Sequence, residues 1–241
     1  MKILEDPPLE VYSNLPWFVE ALIYPAGRDG LIQIGIFVFC ALLIYLFGWF
    51  LSSFLGPYVG AIVLVLQFLL LGYVLFYFAY CVYDSSKGGR RAPAVAMDHA
   101  SDVSDFLAQM FLLLACFAIC YWPAAVYYCF RRSDYIFRLL VAGGSFFLPM
   151  ALLAGILFDA THALNPFFIV VSILRSFFAY CGLILTLGIF GLFVAGILWL
   201  FNHVLMLGFI SNVVNLYLLL VAAYFLGRFY WYNKYKLDWG L

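Results

Sequence analysis

Six long apolar stretches, separated by short polar turns, dominate the chain; they fall at about 31–51, 58–80, 106–130, 136–158, 180–201 and 205–226. Each is near the roughly 20 residues that an α-helix needs to cross the hydrocarbon core of a bilayer. The fifth, from 180 to 201, holds no charged residue. Ahead of it stands Asn165-Pro166, a capping side chain followed by a proline whose missing N–H costs nothing in the first helical turn. Ser172, Arg175 and Ser176 then share one side of a short helix, and Phe167, Phe168, Val170, Val171 and Leu174 fill the rest. Ser13-Asn14-Leu15-Pro16 has the same form and leads through Trp17, Glu20, Ala21 and Tyr24 to Pro25. A third lead-in is Ser101-Asp102-Val103-Ser104-Asp105, where Ser101, Asp105 and Gln109 share a face.

This pattern predicts one all-α domain over residues 1–241: a polytopic integral membrane bundle of about six transmembrane helices in three hairpins. Each hairpin is expected to follow a short helix lying in the membrane interface. Two spans separate successive lead-ins, so the three belong on one side, as a parallel repeat. Residues 52–57 read as a tight uncharged hairpin, with Gly56 and Gly60 spaced for close helix contact. Pro123, Gly143-Gly144 and Pro149 mark bends within the third and fourth spans. The longest polar segment runs from Asp84 to Ser104, and Arg228 to Leu241 reads as an aromatic and basic tail.

Composition excludes a water-soluble fold. Of 241 residues, 68% are hydrophobic and 10% charged, whereas a soluble domain carries about a quarter charged. The solvent for such a surface is lipid. A zero net charge gives no reason to expect nucleic acid as a partner. Met1 to Pro8 lacks the basic start and apolar core of a signal peptide, so the first span is expected to direct insertion.

Lys and Arg in short loops set orientation. Lys2, Arg28, Lys87, Arg90, Arg91, Arg228, Lys234 and Lys236 fall on the side of the N-terminus; Arg131, Arg132 and Arg138 fall opposite. The expected location is a bacterial cytoplasmic (inner) membrane, with both termini cytoplasmic. The Arg131-Arg132 pair runs against this layout.

Several phrases carry a resemblance: Tyr24-Pro25-Ala26-Gly27-Arg28-Asp29-Gly30-Leu31, the Gly-Arg-Arg-x-Pro loop from Gly89 to Pro93, Leu148-Pro149-Met150-Ala151, Ala163-Leu164-Asn165-Pro166, and Leu226-Gly227-Arg228 through Leu237-Asp238-Trp239. Together they are similar to a class of bacterial six-span membrane proteins of unknown function, with a fainter likeness to the Yip family. The resemblance implies a bundle of membrane helices with interfacial lead-ins and no known enzymatic activity, and it carries over no functional residues. Proteins of this kind often anchor the loop after the second span with an acidic and aromatic patch. Here that loop reads Met97-Asp98-His99-Ala100, and no aromatic residue lies between Asp84 and Asp105.

Candidate chemistry is sparse. Arg175 near the bilayer is costly unless it sits at interface depth, where it meets lipid phosphate or an acid such as Asp105 or Glu20 from another lead-in. Arg90 and Arg91, with Lys87, have the charge to bind anionic headgroups, beside their topological role. Gln67, Asn212 and Asn215 are intramembrane amides expected to hydrogen-bond across helices. Asp159 and His162 are three apart, but no third ligand is within reach, and His203 and His99 read as wetted turn and loop residues. The six cysteines Cys40, Cys81, Cys116, Cys120, Cys129 and Cys181 lie in or beside apolar runs and read as packing. With no nucleophile-base set, paired intramembrane carboxylates, zinc-peptidase motif or haem-ligand pair, no cofactor is expected. The functional expectation is a non-catalytic subunit or scaffold of an inner-membrane complex, in contact with lipid and other membrane subunits. The alternatives are a small transporter or channel for an apolar or lipid-like solute, and a lipid-organising, membrane-shaping protein.

Overall fold

A computed structural model describes residues 17–55, 58–94, 101–130, 134–158, 165–203, 208–237 and 239. These form eight α-helices, with no strand among the described residues: α1 (Trp17–Ile23), α2 (Arg28–Leu55), α3 (Tyr58–Ser86), α4 (Ser101–Phe130), α5 (Tyr135–Phe158), α6 (Pro166–Arg175), α7 (Phe177–His203) and α8 (Gly208–Leu237). A 3-10 turn, Tyr24–Ala26, joins α1 to α2. Six helices are long and apolar enough to cross a membrane, so the protein is an all-α multi-pass bundle. α2 packs on α3, α4 on α5 and α7 on α8, which are the three expected hairpins, and α3 also packs along α8.

The lead-in helices differ from expectation in one place. α1 stops at Pro25-Gly27, and α6 stops at Ser176, whose N–H and hydroxyl both turn back to the Ser172 carbonyl (3.2 and 2.9 Å). The chain runs from Ser101 to Phe130 as one helix with no proline or glycine near Asp105 and Phe106, so the middle lead-in is simply the first turns of α4. α6 is capped as its sequence predicts: the Asn165 side chain accepts from the Phe167 N–H at 3.0 Å, ahead of Pro166. The cap at 13–16, the Arg131-Arg132 pair and the Asp159–His162 segment lie outside the described residues.

The spans run longer than their apolar cores. α4 and α5 continue through Pro123 and Pro149. The sixth extends to Leu237, because Arg228–Leu237 contains neither glycine nor proline and places Lys234 and Lys236 at the negative end of the helix dipole. Residues 228–237 of what read as a tail are therefore the last turns of α8.

Burial sorts the helices into inner and outer. Half of the span window in α5 and in α8 is buried, against 11% in α2 and in α3 and 6% in α7. From Pro149 to Ile156 every residue of α5 is buried, as befits a helix apolar all round and enclosed by neighbours. Close approach depends on small residues. A Cβ on Gly227 of α8 would lie 2.5 Å from the Val82 carbonyl of α3 and collide with Ser85; one on Gly144 of α5 would lie 2.6 Å from the Cys120 carbonyl of α4.

Replacing Gly227 by Ala is expected to cost roughly 1–3 kcal/mol, because backbone atoms cannot yield as a flexible side chain would. Gly188→Ala, where nothing lies within 4 Å of the new Cβ, serves as control and should be neutral or slightly stabilising. Thermal unfolding of both variants in detergent measures the contrast.

Candidate functional site

Polar side chains gather where the first lead-in meets α3 and α8. Tyr24 is fully buried, and its hydroxyl lies 3.1 Å from the Cys81 carbonyl and 3.3 Å from the Asp84 carboxylate. Its ring packs on that of Tyr224, with centroids 4.8 Å apart. The Tyr224 hydroxyl donates to Glu20 at 3.1 Å and accepts from Arg228 Nε at 2.9 Å. Arg228 and Glu20 close the circuit as an ion pair at 4.0 Å, their side chains 12% and 17% exposed. Burial, reinforced by Cys81 and Asp84 nearby, holds the Tyr24 phenol well above its usual 10.0, so it stays a hydrogen-bond donor across the physiological range.

Local sequence explains how these groups meet. α3 ends in a Schellman turn: the Gly89 N–H reaches the Asp84 carbonyl (3.0 Å), the Gly88 N–H reaches that of Ser85 (3.2 Å), and Gly88 takes a φ of +99°. The chain then doubles back. Ala92 N–H donates to the Tyr24 carbonyl at 3.1 Å, and the Tyr77 hydroxyl donates to the Pro93 carbonyl at 3.3 Å. The Gly-Arg-Arg-x-Pro segment thus clasps the 3-10 turn, leaving Arg90 and Arg91 on the outside.

A second polar junction joins α6 to the end of α8. Trp239 stacks among Phe158, Phe168 and Tyr230, with centroid separations of 5.3–5.6 Å, and its indole N–H donates to Ser172 Oγ at 3.0 Å. Arg175 donates to the Leu237 carbonyl at 3.4 Å, at the negative end of α8. Of the acids suggested for Arg175, Glu20 bonds Tyr224 and Arg228. The packed side of α6 is mixed: Ser172 and the capping Ser176 are buried with Ile169 and Ile173, while Phe167, Leu174 and the neighbouring Phe178 face outward. Aromatic rings in the last ten residues were visible as a pattern, but their return onto α6 has no signal in periodicity.

The three intramembrane amides do not converge. Asn212 and Asn215 face outward on α8. Gln67 lines an open groove of about 330 Å³ between α2 and α3, with Ile44, Tyr45, Gly48, Trp49, Val59, Gly60 and Val63. It makes no hydrogen bond to another described residue, in contrast to Gln33, which accepts from the Tyr73 hydroxyl at 3.2 Å. A second groove, of about 210 Å³, runs between α7 and α8 past Glu20, Thr186, Arg228 and Asn233. Among the described residues no three His, Cys, Asp or Glu side chains gather as a metal site. Cys116 packs on α5, its thiol 3.5 Å from the Ala151 carbonyl.

In comparisons with known proteins the chain matches no family model, no curated protein sequence and no solved structure.

Trp239→Ala is expected to lower stability by roughly 3 kcal/mol, on the scale of a large aromatic removed from a packed site. Deuterium exchange should then quicken across 166–175 and stay unchanged across 17–26, since the two junctions share no side chain.

Proposed function

We propose that the protein is a non-catalytic subunit or scaffold of a bacterial inner-membrane complex, with both termini in the cytoplasm and partner helices docked on its outer spans. The observation that carries this reading is Gln67: an amide on an open groove within a span, with no partner among the described residues. Hydrocarbon offers such a group nothing, and a neighbouring helix offers a hydrogen bond. The exposed aromatic and aliphatic faces of α2 and α7 supply contact area beside it, Tyr45 and Trp49 being each 71% exposed.

Charge placement favours the same reading. Glu20, Arg228 and Arg175 all bond within the bundle, where they fix helix ends. A solute pathway would gather polar groups at mid-membrane, whereas the groove holding Gln67 takes no residue from α8.

Purification in a mild detergent is expected to yield the chain in a stable assembly of fixed stoichiometry. A lone monomer at every detergent concentration, with no co-purifying chain and no second copy, would overturn the proposal.

A further inference from the structure

A charge that the bundle positions but does not saturate lines the groove between α7 and α8. Arg228 is tied at Nε to the Tyr224 hydroxyl at 2.9 Å, and the Glu20 carboxylate beside it stands 4.0 Å away, beyond hydrogen-bond reach. Its terminal guanidinium nitrogens therefore donate to no described residue, and the side chain is 12% exposed where it lines the groove. Asn233 lines the groove too. Its side-chain N–H donates to the Phe229 carbonyl at 2.9 Å, and its amide oxygen has no donor among the described residues. Leu183, Phe225 and Phe229 give the groove an apolar wall. Glu20 lies ahead of the first span, which begins at Arg28, and Arg228 and Asn233 lie in the last turns of the sixth, which ends at Leu237. The polar groups thus sit near one membrane face, at the depth of headgroups rather than of the midplane.

We infer that this groove binds a phospholipid of the phosphatidylethanolamine class, with its phosphate on Arg228 and its ammonium on Glu20 and Asn233. The inference does not depend on the docking role proposed above. Charge selects the headgroup. A guanidinium out of water needs an anionic oxygen, and a phosphate accepts two of its parallel N–H groups. Yet Glu20 brings an equal negative charge within 4.0 Å of Arg228, so the site is neutral as a whole and does not favour a purely anionic head. A zwitterion matches both signs. A carboxylate has about four acceptor positions, so Glu20 receives an ammonium in addition to the Tyr224 hydroxyl, and the Asn233 oxygen is a further acceptor. A primary ammonium brings three N–H donors to these groups, whereas the trimethylammonium of phosphatidylcholine brings none. Volume agrees: about 210 Å³ falls below the roughly 300–1,000 Å³ of a site that encloses a whole small molecule. The head enters, and the acyl chains lie along the apolar wall and the outer face of α7.

Native mass spectrometry of the full-length chain in mild detergent tests this, with phosphatidylethanolamine, phosphatidylglycerol and phosphatidylcholine of identical acyl chains titrated in turn. One saturable phosphatidylethanolamine site is expected, about tenfold tighter than for either other lipid, the scale of one hydrogen bond to a charged group. Glu20→Gln should remove the preference over phosphatidylglycerol, because the site then carries the uncompensated charge of Arg228. Thr186→Phe crowds the groove from the exposed side of α7, leaves Glu20, Tyr224 and Arg228 in place, and should weaken phosphatidylethanolamine about tenfold or more. Melting temperatures near wild type without added lipid show that the variants fold; if Glu20→Gln melts early, Thr186→Phe decides alone. A wild-type chain that retains no phospholipid, holds the three equally or prefers phosphatidylglycerol overturns the inference. Phosphatidylethanolamine binding unmoved by Thr186→Phe overturns it as well.

Discussion

Hydrocarbon solvates an apolar helix about as well as another apolar helix does, so greasy contact alone does not choose which spans are neighbours. In this bundle hydrogen bonds and ring contacts at the helix ends make that choice, and the buried Tyr24 is the first of them. Its hydroxyl faces α3 through Cys81 and Asp84, its ring faces α8 through Tyr224, and its carbonyl receives the returning loop at Ala92. One residue thereby touches three parts of the chain separated by up to 200 positions in sequence. Once α3 and α8 are set side by side, Gly227 permits close contact with Val82 and Ser85, and α7 follows as the hairpin partner of α8.

Much of this architecture could be read from residue order, because hydrophobic length is a one-dimensional property. Six spans, three hairpins and the Asn165-Pro166 cap all depend on local runs or on single capping groups. The end of α8 was misjudged because hydropathy falls after Leu226, although nothing there breaks a helix. The middle lead-in was misjudged for the converse reason: its polar turns are helical, and nothing separates them from the span. Side-chain partnerships were beyond reach. Arg228 and Arg175 carry the same charge in similar surroundings, yet one meets Glu20 and the other a helix end; only the folded arrangement distinguishes them. Gln33 and Gln67 look alike in sequence as well, and only the first accepts a hydrogen bond from a tyrosine.

The two separate lead-in helices act as clamps on α8. α1 meets it through Tyr224 and Arg228, and through a hydrogen bond from Tyr217 to the Leu22 carbonyl. α6 meets its far end through Trp239 and Leu237. Each buries polar groups beside apolar ones, Ser172 with Ile169 and Ile173 on α6, and leaves large apolar side chains such as Phe18 and Phe167 exposed. Buried polar groups of this kind favour one arrangement over close competitors as long as every member is bonded. The amide of Gln67 breaks that pattern on an outer face, and the proposed docking role rests on it for this reason.

A double-mutant cycle at Tyr24 and Asp84, read by reversible unfolding in detergent, tests the central claim most directly. Tyr24→Phe keeps the ring contact and removes the hydroxyl; Asp84→Ala removes the carboxylate. If the hydroxyl ties the first lead-in to α3, the two losses will be coupled by about 0.5–1.5 kcal/mol, in the range found for hydrogen-bonded pairs in membrane proteins. Strictly additive losses would mean that the two groups are neighbours without being partners.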